Sequence, residues 1–319
     1  MKPRHIAQIF LLSAVWGISF LMIRIAATTF PPVWVGMLRS GSGAVLLLVL
    51  LKLRGNRLPP RKMLPWLLAV ALFNNAIPFS FFAWGEQTVP SNTAAVLNAT
   101  LPIWTMLLGM AVHRTKMGLA TILGVLIGFG GVALVVYSRT SDPAPGQGNL
   151  TLGITVIVLA TLGYATATLI AKAKLQGLDP IGLATAQLSL AATMLAPVAA
   201  LTRHPAHITL PPVLAILVLG FAGSGVAYFL YFNLLAHIPA THVVAVTYLL
   251  PIWGIFWGLV AHEQVAPLAY VGVLVVIAGL ILMNSSMRRP SQKIEPGPEP
   301  RPESRPAATP ATACEAVKN

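Results

Sequence analysis

Leu101-Pro102-Ile103-Trp104 returns letter for letter as Leu250-Pro251-Ile252-Trp253. Each copy lies inside a long apolar run, and laying one on the other shifts the numbering by 149. At that shift Pro90 meets Pro239, Asn75 meets Ser224 and His113 meets His262. At 148, Trp16 meets Tyr164, Arg24 meets Lys172, Pro32 meets Pro180 and Arg39 meets Gln187. Gly124 and Gly131 fall on Gly272 and Gly279 in the same way. One unit is written twice, and a duplicated apolar chain points to a carrier with its substrate between the halves.

Hydrophobic residues make up 56% of the 319 positions and charged residues 9%, far below the roughly 25% charge of a soluble globule. The apolar residues cluster in stretches of about 20, enough to cross about 30 Å of hydrocarbon as helix. Pro, Gly and charges divide them into ten spans: 6–27, 33–51, 64–84, 91–111 and 117–137, then 150–171, 180–201, 212–235, 241–261 and 266–284. Backbone groups in lipid must bond internally, and alternating strand patterns are absent. The expected fold is an all-α integral membrane protein of ten transmembrane helices in two five-helix repeats, residues 1–140 and 141–285. Residues 286–319, rich in Pro, Glu and Arg, read as a disordered tail that cannot offset its ordering entropy. The single cysteine, Cys314, lies in that tail and offers neither a disulfide nor a multi-cysteine metal site.

The net charge of +13 is a rim, not a nucleic-acid surface. With the N-terminus inside, Lys2, Arg4, Lys52, Arg54, Arg57, Arg61, Lys62, Arg114, Lys116, Lys172, Lys174, Arg288 and Arg289 all fall inside, while the outside loops hold Arg139 and Arg203. That bias puts both termini in the cytoplasm of a multi-pass protein of the cytoplasmic (inner) membrane. An odd number of spans per half makes the second copy enter from the opposite side, so the repeats are inverted. The replacement of Arg114 by Glu263 at the mate position is the change that opposite membrane faces favour.

Trp16-Gly17-Ile18-Ser19-Phe20, with Arg24 and Arg39 after it, resembles the opening of EamA-type permeases of the drug/metabolite transporter superfamily. Ala94 to Pro102, the glycines from Gly124 to Gly131, Gln187 and the stretch from Pro251 to His262-Glu263 carry the same resemblance over residues 5–285. One departure stands out: where that family often ends its fourth helix with an acid, this chain has His113-Arg114. The resemblance implies a secondary transporter, an exporter of small organic metabolites such as amino acids or drug-like compounds. The alternative within the superfamily is a sugar-phosphate or nucleotide-sugar exchanger, which needs several cavity cations.

Arg24 and Arg39 are the cations placed within spans, where a charge is costly unless paired or wetted. Arg39 reads equally as a cavity cation for an anionic group and as half of a structural ion pair; Arg24 can also snorkel. Glu86 and Glu263 sit at helix ends and with Arg24 form a candidate gate, against the reading of solvated end caps. Asn75, Asn98, Thr247 and Tyr248, with Asn74, place polar groups in lipid at matched positions, which serve either a common chamber or helix contacts. Trp16 and Tyr164 supply an aromatic wall, and Gln187 stands where the first half has Arg39. Pro102 and Pro251 are candidate hinges. No acid lies mid-span, so a facilitator or exchanger is favoured over a carboxylate-relay antiporter; His113, His237 and His242 are the alternatives, more often interfacial. No nucleophile elbow, phosphate loop or His/carboxylate metal cluster suggests an enzyme. The expected partners are a small-molecule substrate and the lipid bilayer, with no cofactor, metal or nucleic acid.

Overall fold

In the computed structural model, residues 3–114, 118–140, 149–202, 207–238, 243 and 245–287 are described. Among them every regular element is helical. We number them α1 (Pro3–Ala27), α2 (Pro32–Arg54), α3 (Arg61–Gly85), α4 (Ser91–His113) and α5 (Leu119–Thr140). Then follow α6 (Leu150–Lys174), α7 (Pro180–Leu201), α8 (residues 210–237), α9 (Ala245–Val260) and α10 (Pro267–Met287). Eight helices, within α1 to α8, are long and apolar enough to cross a membrane. Ala245–Val260 has 16 residues, about 24 Å of helix at 1.5 Å rise, and stops short of that length. The readings placed on Lys2, Lys116, Arg203, His242, Arg288, Arg289 and Cys314 lie outside the described residues.

Local chemistry sets the helix ends. Pro32 and Pro180 open α2 and α7 at a position that needs no N–H donor. Asp179 caps α7 by accepting from Gly182 N at 2.6 Å, and also accepts from Asn56 beyond α2. Gly55, at φ 67°, closes α2 in the left-handed conformation that glycine adopts freely.

Three spans expected to be regular are not. In α3, residues Leu72–Ala76 widen into a π-helical turn. Pro78 follows, and it has no N–H to offer the carbonyl of Asn74, so the ladder re-registers just before it. In α8 the same widening runs over Val218–Val226, a glycine-rich stretch. The other irregularity is in α4, where Ala99 and Thr100 form a turn between Ser91–Asn98 and Leu101–His113. There Pro102 withholds the donor that the Asn98 carbonyl requires.

Each half packs mainly on the other. Helix α2 lies on α7 and α5 on α10; α1 packs on α9 and α8, as α6 packs on α4 and α3. Exchanging the halves turns this set of neighbours into itself. The α5–α10 contact is backbone to backbone. A Cβ on Gly131 would lie 2.6 Å from Val276 N, and one on Gly124 would lie 2.7 Å from Met283 N. Small residues make this approach possible, which suits helices that association must hold together in lipid by packing. Val45, Val49, Leu126, Leu274 and Ile281 are exposed, as an apolar outer surface in lipid requires.

Candidate functional site

Between the halves lies a cavity of about 490 Å³ lined by residues of α1 to α4 and α6 to α9, with Val243. Arg39 is its cation. It is 6% exposed, its Nε donates to Ser224 Oγ at 3.2 Å, and its guanidinium sits 3.9 Å above the centre of the Phe79 ring. Among the described residues no carboxylate comes within ion-pair distance of it. Around Arg39 the wall is amphipathic. Asn74 donates from Nδ2 to Gln187 Oε1 at 3.0 Å and to Tyr228 Oη at 3.1 Å. Trp16 and Tyr231 meet at 5.7 Å between ring centres, and Tyr164 stacks on Phe82 at 6.1 Å.

The two widened turns fall at matched positions of the two halves, beside the cavity. Asn74 and Asn75 lie in one, Gly223 and Ser224 in the other, 149 positions on. Asn74 and Gly223 line the cavity from opposite halves, while Asn75 bonds to Tyr228 and Ser224 accepts from Arg39. Such turns are frequent at functional sites.

Beyond one end of the cavity is a cluster of charges. Ile23 and Phe82 line the cavity; Arg24 is the next residue on α1, and Glu86 lies one helical turn past Phe82. Arg24 Nη1 pairs with Glu263 Oε1 at 2.5 Å. The Glu263 carboxylate also accepts from Ser91 N at 3.1 Å, Ser91 Oγ at 2.9 Å and Asn92 N at 3.2 Å. It therefore caps α4 from the other half, where the helix dipole favours an anion. Glu86 is 3% exposed, and neither of its carboxylate oxygens accepts a hydrogen bond among the described residues. Burial, and then the neighbouring Glu263, push its carboxyl well above the usual carboxylate range, with Arg24 and Arg39 pulling it back.

The sequence pattern of the EamA-like transporter family matches residues 4–137 and again residues 151–285. The chain belongs to that family. It is 24% identical over 286 residues to the uncharacterized inner membrane transporter YedA of Escherichia coli K12, covering 86% of this chain and 89% of that one. It is 22% identical to the uncharacterized transporter YoaV of Bacillus subtilis, over 86% and 94% of the two chains. Protein PagO of Salmonella typhimurium is 29% identical over 168 residues, 52% of this chain and 54% of its own. A solved crystal structure shares the fold at a TM-score of 0.63 and 15% identity, covering 91% of this chain and all of that chain. Family and relatives point to a transporter rather than an enzyme.

Of the residues singled out in this EamA-like sequence, Trp16, Arg39, Asn98, Tyr164, Gln187 and Thr247 line the cavity. Asn75 and Tyr248 do not. Asn75 is fully buried and donates to Tyr228 Oη at 3.1 Å, bracing the wall from behind. Tyr248 faces the α5–α10 side, its hydroxyl donating to Leu280 O at 3.4 Å. Arg24 and Glu263 are brought together, with Glu86 close by. Pro102 opens the second segment of α4, whereas Pro251 lies inside α9. His113 is exposed, and His237 is exposed with Nδ1 2.8 Å from Asn233 O. The residues overlooked were Phe79, Phe82, Tyr228 and Tyr231. Their signal was present: Phe79 and Phe82 fall on Tyr228 and Tyr231 at the same shift of 149 that aligns the tetrapeptides.

Proposed function

We propose that the chain is a secondary transporter, an exporter of small organic metabolites such as amino acids or drug-like compounds, working by alternating access in the cytoplasmic membrane. In this reading the two five-helix repeats, 1–140 and 141–285, are inverted across the bilayer and both termini are cytoplasmic. The exchange of helix neighbours between the halves supports the inversion, and the Lys/Arg distribution supports the orientation. The names of YedA and other relatives support a cytoplasmic membrane carrier.

The observation that carries the proposal is Arg39: a buried cation lining a largely apolar cavity, with no carboxylate partner among the described residues. A charge in that position is costly unless something completes it. An anionic group on the substrate, such as a carboxylate, supplies the missing charge, while Trp16, Phe79, Tyr164 and Tyr231 cover its apolar body. A single lining cation suits one carboxylate better than a phosphate, which favours the metabolite exporter over the sugar-phosphate exchanger. The Arg24–Glu263 pair, with Glu86, forms the gate at one end, and Pro102 and Pro251 are the places where α4 and α9 can bend.

Purified protein in liposomes, offered labelled amino acids and amphiphilic drugs, tests this reading. Flux that is lost in Arg39→Gln supports it. Chemical turnover without flux, or flux unaffected by Arg39→Gln, overturns it. In the same vesicles Glu263→Gln leaves Arg24 and the start of α4 uncompensated, and the gate end becomes more accessible to an impermeant reagent.

A further inference from the structure

Two carboxylates and one nearby guanidinium occupy the end of the cavity beyond Phe20 and Phe82, and the structure treats the carboxylates differently. Glu263 receives the Arg24 ion pair, two backbone N–H groups and the Ser91 hydroxyl. Every one of those donors favours the ionised form. Glu86 receives none among the described residues, and only 3% of it is exposed. Arg24 is committed to Glu263, so an ionised Glu86 would be a buried carboxylate with no ion-pair partner of its own among the described residues. Paired acids whose surroundings push them to opposite protonation states divide the work of charge and of proton between them.

The groups facing Glu86 can be named. Charges come from Glu263 after α9, Arg24 on α1 and Arg39 on α2. From α6 the neighbours of the adjacent Gly85 are Gly153 and Ile157, and α4 begins with Ser91 and Asn92. None of these last four ionises.

We propose that Glu86 is a proton-binding site, holding a proton while the Arg24–Glu263 end of the cavity is shut and releasing it to water when that end opens. The inference rests on the reading of that end as a gate. On opening, the O–H bond of the carboxyl breaks with its electron pair left on oxygen, and the proton passes to water. The new carboxylate is held by water and by Arg24 as Glu263 lets go. On closing, the same bond reforms with a proton taken from that face of the membrane. Acid on that face therefore keeps the gate shut, and the carrier gains a proton dependence that its spans do not disclose, since they hold no acid of their own.

The linkage to stability has a definite sign. The carboxyl binds its proton more tightly in the folded chain than in the unfolded one. The stability tied to it is fully present below the ordinary carboxylate value and is lost as pH rises through the raised folded value. Glu86→Gln, which mimics the neutral acid, lacks that loss.

Two measurements test the site. Infrared difference spectra of the native protein should show a protonated carboxyl at neutral pH that disappears in Glu86→Gln. A native protein without that band overturns the proposal before any variant is made. Separately, Ile23→Cys in a Cys314→Ser background reports on the cavity beside Arg24 through labelling by an impermeant maleimide. The labelling rate should rise several-fold from acid to alkaline pH with Glu86 present, stay low and flat in Glu86→Gln, and regain its pH dependence in Glu86→Asp. An unchanged pH profile in Glu86→Gln, or a flat one with Glu86 in place, overturns it. Neither readout uses a transported substrate. A protein that shows band and profile but carries nothing would sink the transporter reading and leave this one standing; flux without the band would do the reverse.

Discussion

Trp104 and Trp253 end the same tetrapeptide, yet their indoles are used differently. Trp104 Nε1 donates to Thr100 Oγ1 at 3.1 Å within its own helix, and its ring edges Phe129 at 5.2 Å. Trp253 Nε1 donates across to Ser13 Oγ on α1 at 3.0 Å, and the Ser13 hydroxyl in turn donates a hydrogen bond to Phe10 O. Ahead of Trp104 the chain makes a turn at Ala99 and Thr100, which puts Ile103 at 0% exposure; ahead of Trp253 the helix runs on, and Ile252 is 50% exposed. The approach of α9 to α1 is so close that a Cβ on Gly17 would collide with Trp253. The residue 148 positions after Gly17 is Ala165, which carries a Cβ and is fully buried. Identical local sequence therefore gives two environments, because the partner helix, and not the tetrapeptide, sets the spacing.

The same asymmetry runs through the cavity. The first half supplies Arg39, Asn74 and Asn98, and the second supplies Gln187, Gly223 and Thr247 at the matched positions. Arg39→Gln makes the halves alike at the cation. It should weaken binding of a carboxylate probe by roughly a hundredfold, about 2.7 kcal/mol, measured by equilibrium binding to the purified protein. A smaller loss would mean that the halves share the anion site. Gly17→Ala should cost about 1–3 kcal/mol through overpacking, read as a lower unfolding temperature in detergent. Ala165→Gly should leave that temperature near native; equal effects at both sites would erase the difference between the two contacts. The smallest effect separates the indoles. Trp253→Phe should destabilise by about 1 kcal/mol more than Trp104→Phe, since only Trp253 spends its N–H on another helix. Thermal unfolding of the two variants side by side decides it.

Much of the fold was legible because lipid leaves few options. Spans of about the right length, separated by Pro, Gly and charge, must be helical, and the structure places helices over the expected stretches with ends moved by a few residues. The widened turns at Leu72–Ala76 and Val218–Val226 were not legible. Pro78 and the glycines permit them, but permission is not placement; the widened turns are seen only with α3 and α8 packed against α2 and α7. The site was partly legible for a related reason. Arg39 announces itself because a charge in an apolar span needs a cause, whereas Tyr228 and Tyr231 resemble ordinary apolar helix until their hydroxyls and rings are seen beside Asn74 and Trp16. Glu86 was legible as a helix-end acid, and its isolation was not.

The sequence by itself determined that this chain is a duplicated, helical membrane protein with a basic rim and two cations inside its spans, because hydropathy, span length and repetition are properties of composition along a line. Only the tertiary structure decided which of the polar residues share a cavity, that Glu263 of the second half caps α4 of the first, and that Glu86 is buried beside that pair with no donor to it among the described residues. Those facts depend on the spacing and rotation of helices far apart in sequence, set by glycine contacts such as Gly131 on Val276 and Gly17 on Trp253. No local pattern records them.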